Sequence, residues 1–112
     1  MTNWDWIEEQ YNTLAQSRYV KRPHWQNIGE AMLNILPQLK DFVSQHIELV
    51  AYLSMSALCI ESSLTGITTV IFSEVTDYYE ITIRNQSNEV LGEKLVKSNE
   101  VIWLLTNYLL TK

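Results

Sequence analysis

Residues 46–62 read HIELVAYLSMSALCIES, and the fold turns on what this stretch becomes. Its odd positions, Ile47, Leu49, Ala51, Leu53, Met55, Ala57 and Cys59, are apolar or small and alternate with a more mixed set. Alternation of this kind has the two-residue period of a half-buried strand, so the stretch predicts one extended strand. Its middle, ELVAYLSMSAL, also suits a helical continuation, which leaves the boundary between helix and strand open.

Upstream the period is helical. Over residues 3–17, Trp4, Ile7, Tyr11 and Leu14 follow the three-and-four spacing of one buried stripe. Asn3 or Thr2 is the expected cap, and Asp5, Glu8 and Glu9 stand in the early turns, where the helix dipole favours acids. Trp6 lies away from the stripe. The one basic segment, SRYVKRPHW at 17–25, leads into a second helix with Pro23 in its first turn. Trp25, Ile28, Met32, Ile35, Leu36, Leu39 and Phe42 form that helix's apolar stripe. Pro37 must kink it or begin a separate short helix, and the pair should end near Ser44.

Downstream, Thr65 and Gly66 mark a turn, and ITTVIFSEV (67–75) and YYEITIR (78–84) are rich in β-branched and aromatic residues. The polar run 85–88 turns the chain into EVLGEKLV (89–96). SNEVIWLLTNYLLTK (98–112) returns to a helix, with Ser98 as cap and Glu100 in the first turn. Val101, Leu105, Tyr108 and Leu109 share its face, widened by Trp103 and Leu104. The expected architecture is α+β over one domain, residues 1–112. Its order is α-α-β-β-β-β-α, with helices on one face of a four-stranded antiparallel sheet.

The sharpest question lies at the hairpin tip, where Asp77, Tyr78, Tyr79 and Glu80 stand side by side. An even loop around Thr76–Asp77 pairs residues whose numbers sum to 153. Phe72 then faces Ile81, and Val70 faces Ile83. Tyr79 falls on that inner face. Tyr78 and Glu80 fall on the other, with Thr69, Ile71, Ser73, Thr82 and Arg84. A wet outer face is ordinary for an antiparallel sheet, so this set also stands without a partner.

Composition limits the function classes. The 112 residues carry 8 basic and 13 acidic side chains, a net charge of −5. Phosphate-backbone binding needs clustered Lys and Arg, so nucleic acid is disfavoured and a basic protein partner is favoured. Cys59, the single cysteine, makes neither an internal disulfide nor a multi-cysteine metal site. His24 and His46 have no zinc-ligand spacing, and the three glycines form no phosphate loop. Cys59 with His46 is conceivable as a nucleophile pair, but a cysteine in an apolar alternation is normally inert packing. Carboxylate pairs such as Glu8 with Glu9, or Glu74 with Glu80, fit a helix face and a hairpin rim as well as an acid–base site. No catalytic residue, cofactor or metal is assigned. The first residues show no basic-plus-apolar signal and no apolar run reaches a membrane span, so a soluble cytoplasmic protein is expected.

Small size, acidic balance, four Trp and six Tyr without a catalytic motif favour a protein-binding module. The expected type is an acidic bacterial immunity- or antitoxin-like inhibitor of a basic partner. The expected contact residues are Tyr78, Asp77, Glu80, Glu74, Trp6 and Trp103. Two alternatives stand beside it. A secretion-type chaperone would hold an extended client segment and form a homodimer, although no helix separates the strands here as that class would require. A small-ligand protein or enzyme would need a deep polar pocket between helices and sheet.

Overall fold

The computed structural model describes residues 2–16 and 23–112. The basic cluster Arg18, Lys21 and Arg22 lies outside the described residues. Helix α1 spans Trp4–Ala15 and α2 spans Pro23–Ser44. Strands β1 (Leu49–Ser54), β2 (Ala57–Ser62), β3 (Thr68–Val75), β4 (Tyr78–Arg84) and β5 (Val90–Lys97) follow, and α3 (Ser98–Leu109) closes the chain. The α+β class and the three helices hold. The sheet has five antiparallel strands in sequential order, not four.

The extra strand comes from the stretch quoted first. Residues 49–62 fold into a hairpin in which Ser54 faces Ala57 across a two-residue loop, Met55–Ser56. Met55 takes φ 58, the left-handed region that hairpin loops require and that glycine or asparagine usually supplies. No Gly, Asn or Asp announces the turn. It also reverses parity: Leu49 and Ala51 are buried on β1, and Leu58, Ile60 and Ser62 on β2. Cys59 is buried too, but on the other face, opposite Tyr52 and Val70.

The β3–β4 register is the second correction. Val75 faces Tyr78, on the expected sum. Beyond the hairpin end the pairs are Phe72–Glu80, Ile71–Ile81, Val70–Thr82 and Thr69–Ile83, one residue away from expectation. A β-bulge between Phe72 and Val75 absorbs the difference, and a one-residue shift exchanges the faces of a strand. Thr69, Ile71 and Ser73 are consequently buried under the helices, and Val70 and Phe72 join the outer face. Ser73 holds the bulge. Its Oγ accepts the Val75 N–H at 2.9 Å, and its single proton has both the Val75 and Tyr78 carbonyls in reach.

Helix α2 lies across β3 and also touches β1, and α3 packs on β3, β4 and β5. Ile28, Met32, Ile35, Leu39, Val101 and Leu105 meet Leu58, Ile60, Ile71, Ile81 and Ile83 in one core. Pro37 stands within α2 without ending it. Helix α1 packs mainly on α2 and reaches the β1–β2 loop through Tyr11, whose hydroxyl donates to the Ser56 carbonyl at 2.9 Å, and Gly29 makes its approach to α2 possible. A Cβ there would lie 2.3 Å from the Ala15 backbone nitrogen and 2.7 Å from the Tyr11 carbonyl oxygen. Asn3 Oδ1 caps α1 by accepting the Trp6 N–H at 3.2 Å. Thr2 does something else: its Oγ1 accepts the Ala51 N–H of the edge strand β1 at 3.0 Å. Among the described residues, no helix is long and apolar enough to cross a membrane.

Candidate functional site

Among the described residues the helices lie on one side of the sheet and no element covers the opposite face. It carries Val50 and Tyr52 from β1, Cys59 from β2, Val70 and Phe72 from β3, Tyr78 and Glu80 from β4, and Leu95 from β5. Tyr78 is 47% exposed and Leu95 69%. Phe72, Ser73, Glu74, Val75, Tyr78, Glu80 and Leu95 line a shallow groove of about 500 Å³ at one end of this face. At this end β4 and β5 run in regular register beside the bulged β3.

The two tyrosines divide as their positions in β4 require. Tyr79 is fully buried and donates its hydroxyl to the Ala31 carbonyl of α2 at 2.7 Å. Burial raises its phenol pKa above the ordinary value. Tyr78 stands on the outer face with Glu80 beyond it, opposite Lys97 and Leu95 of β5. The carboxylates of Glu74 and Glu80 form no hydrogen bond or ion pair with any described residue.

Asp77 behaves differently from its neighbours. With φ 75 it occupies the left-handed position of the loop. Its carboxylate accepts the Ser98 hydroxyl at 3.2 Å and the Asn34 side-chain amide at 3.4 Å, and its carbonyl accepts the Ser98 N–H at 3.1 Å. Asp77 thus ties the hairpin tip to α3 and α2. Ser98 spends its hydroxyl there and does not cap α3. Lys97 is the N-cap residue, and Glu100 Oε1 accepts its N–H at 3.4 Å. Trp6 (48% exposed) and Trp103 (69% exposed) project from α1 and α3, on the helical side, and neither lines the groove around Tyr78. Of the six residues expected to make contact, the groove gathers Tyr78, Glu80 and Glu74. Phe72 and Leu95 were missed: the first by the register, the second because β5 showed no clear alternation.

The α1–α2 cleft and the Cys59 and His46 surroundings offer less chemistry. A cleft of about 220 Å³ between α1 and α2 is lined by Trp4, Glu8, Leu33, Leu36, Pro37 and Lys40. That is below the usual size of a small-molecule site, and no set of polar groups converges on it. Cys59 is buried against Tyr52, and burial first, then the Glu61 charge, raises its thiol pKa. That is the environment of an inert thiol, not of a nucleophile. His46 stands beside the Phe42 ring, with centroids 5.3 Å apart. Among the described residues, no three His, Cys, Asp or Glu side chains gather into a metal-binding group. Comparison with protein-family models, curated proteins and solved structures produced no match for this chain.

Proposed function

We propose that this chain is a non-enzymatic protein-binding module that holds a basic partner protein against the outer face of its sheet. In type it is an acidic immunity- or antitoxin-like inhibitor. The observation that supports this is the groove itself. An aromatic anchor, Tyr78, stands between Val75 and Lys97, beside the cross-strand row Phe72–Glu80–Leu95, and the carboxylates of Glu74 and Glu80 are unpaired among the described residues. Tyrosine is among the residue types that dominate binding energy when a partner excludes water around them. Acids at the rim add steering and selectivity for positive charge more than raw affinity, and the net charge of −5 acts in the same direction.

The test is affinity purification of the tagged chain from its native cell extract at low and high salt, run in parallel with Tyr78→Ala, Glu74→Lys/Glu80→Lys and Trp103→Ala. The expected result is one basic partner retained by the wild type and by Trp103→Ala. High salt and either groove variant should release it. A partner retained equally by all variants, or one held through Trp103, overturns the assignment of the outer face.

A further inference from the structure

The edges of the sheet are treated differently, and that difference points to a second copy of this chain. At the β1 edge, Thr2 covers the Ala51 N–H. At the β5 edge, Val90, Leu91 and Leu95 are exposed beside Glu93, Lys94 and Lys97. An open strand edge with apolar side chains is a template for pairing.

The backbone of β5 shows which of its groups are free. Antiparallel ladders alternate between residue pairs that exchange hydrogen bonds and pairs that exchange none. Ser98 N–H donates to the Asp77 carbonyl, continuing the register in which Lys97 faces Tyr78 and Val96 faces Tyr79. Gly92, Lys94 and Val96 therefore turn their N–H and C=O groups towards β4, while Glu93, Leu95 and Lys97 turn theirs off the sheet. Two contacts agree with this phase. Lys97 N–H reaches Glu100 and not β4, and the Tyr78 carbonyl lies on the β3 side near Ser73.

We infer that β5 pairs antiparallel with β5 of a second copy about a two-fold axis at Leu95, joining two five-stranded sheets into one. A two-fold axis normal to the sheet keeps each face on its own side, so only residues of one face can oppose each other. Centring on Glu93 or Lys94 brings like charges together on the axis, which is destabilising. Centring on Val96 runs Glu93 into α3. Centring on Leu95 sets Leu95 against Leu95 and Glu93 against Lys97, once in each direction. In this register Leu95 exchanges both backbone bonds with Leu95 of the second copy, and the Glu93 N–H meets the Lys97 carbonyl. The Lys97 N–H keeps Glu100. The bulge that leaves Leu91 unpaired ends the straight ladder on the other side. Both Tyr78 grooves then lie on one continuous outer face, next to the axis.

This inference does not rest on the partner assigned to that face, because the chain alone reports its oligomeric state. Sedimentation equilibrium of the purified chain is expected to give twice the 13.1 kDa chain mass, with dissociation favoured by salt. Glu93→Lys should raise the dissociation constant by about tenfold or more, because both cross-strand pairs turn repulsive. Glu93→Lys combined with Lys97→Glu should restore it, with circular dichroism confirming that each variant is folded. Leu95→Asp gives a second reading, since it places two acids on the axis and should yield a folded monomer. A wild-type chain that stays monomeric at high concentration overturns the proposal and leaves the edge to an extended segment of another protein. A dimer indifferent to Glu93→Lys and Leu95→Asp overturns it too, and moves the contact elsewhere.

Discussion

Tyr79 joins the sheet to the helical layer through one bond, its hydroxyl donating to the Ala31 carbonyl of α2 at 2.7 Å, while Tyr78 beside it faces the other way. Two adjacent tyrosines thus have separable energetic roles. Tyr79→Ala should cost about 3–5 kcal/mol, the range for removing a buried aromatic ring. Tyr79→Phe should cost about 1 kcal/mol, the net value of the hydrogen bond. Tyr78→Ala should stay within about 0.5 kcal/mol of wild type, as surface changes usually do. Urea denaturation of the three variants checks this, and equal midpoints for the two alanine variants would end the division of roles.

Ser73 is 2% exposed, and its hydroxyl accepts the Val75 N–H inside the bulge. Ser73→Ala should cost about 1 kcal/mol, because the part-buried Val75 N–H loses its side-chain acceptor. Amide hydrogen exchange gives the sharper readout. Val75 and Tyr78 should exchange faster in the variant while Ile81 and Ile83 keep their protection. Unchanged exchange at Val75 would mean that the turn alone holds the bulge.

At Gly29 the backbones of α1 and α2 come too close for a side chain. In an isolated helix Gly→Ala would gain about 1 kcal/mol. Here the added methyl meets the backbone of α1, which has no flexible end to swing away. Overpacking of that kind costs about 1–3 kcal/mol, so Gly29→Ala should lower the melting temperature. A raised melting temperature would show that α1 shifts on α2 without penalty.

The buried phenols set an alkaline limit. Burial raises the pKa of Tyr11, with Cys59 adding to the shift, and burial also raises that of Tyr79. The unfolded chain releases these protons near the ordinary value of 10.0, whereas the folded chain retains them. Their contribution is therefore complete below pH 10 and is lost as pH climbs through 10 towards the folded values. The urea midpoint should show no tyrosine-dependent change up to about pH 9 and should fall steeply above 10. In Tyr11→Phe/Tyr79→Phe that fall should be shallower. An equally steep fall in the double variant would assign it to other groups.

Strand β4 was readable because Tyr79, Ile81 and Ile83 alternate with Tyr78, Glu80 and Thr82, and both isoleucines are more apolar than their neighbours. On β3 both parities offer a plausible face, Val70 with Phe72 or Thr69 with Ile71. Alternation alone cannot choose between them. The bulge decides, and its signal is a buried hydroxyl at Ser73 that in sequence is only another polar residue before a turn. The outer-face groove inherits this difficulty, since Phe72 belongs to it only in the bulged register.

Residue periods that survive any packing were legible from the start: three helices, a β-rich middle and the opposed faces of β4. These follow from local sterics and from one-dimensional hydrophobic spacing. Three features depended on the tertiary structure. Met55 folds back into a fifth strand because pairing of β1 with β2 outweighs its left-handed backbone cost. Ser73 takes the buried side because a bulge lets Ile71 join Ile81 in the core. Asp77 serves the fold because α3 returns beside the hairpin tip, bringing Ser98 to its carboxylate. Each is a contest between a weak local preference and contacts with residues distant in sequence, and burial in the folded chain settles it.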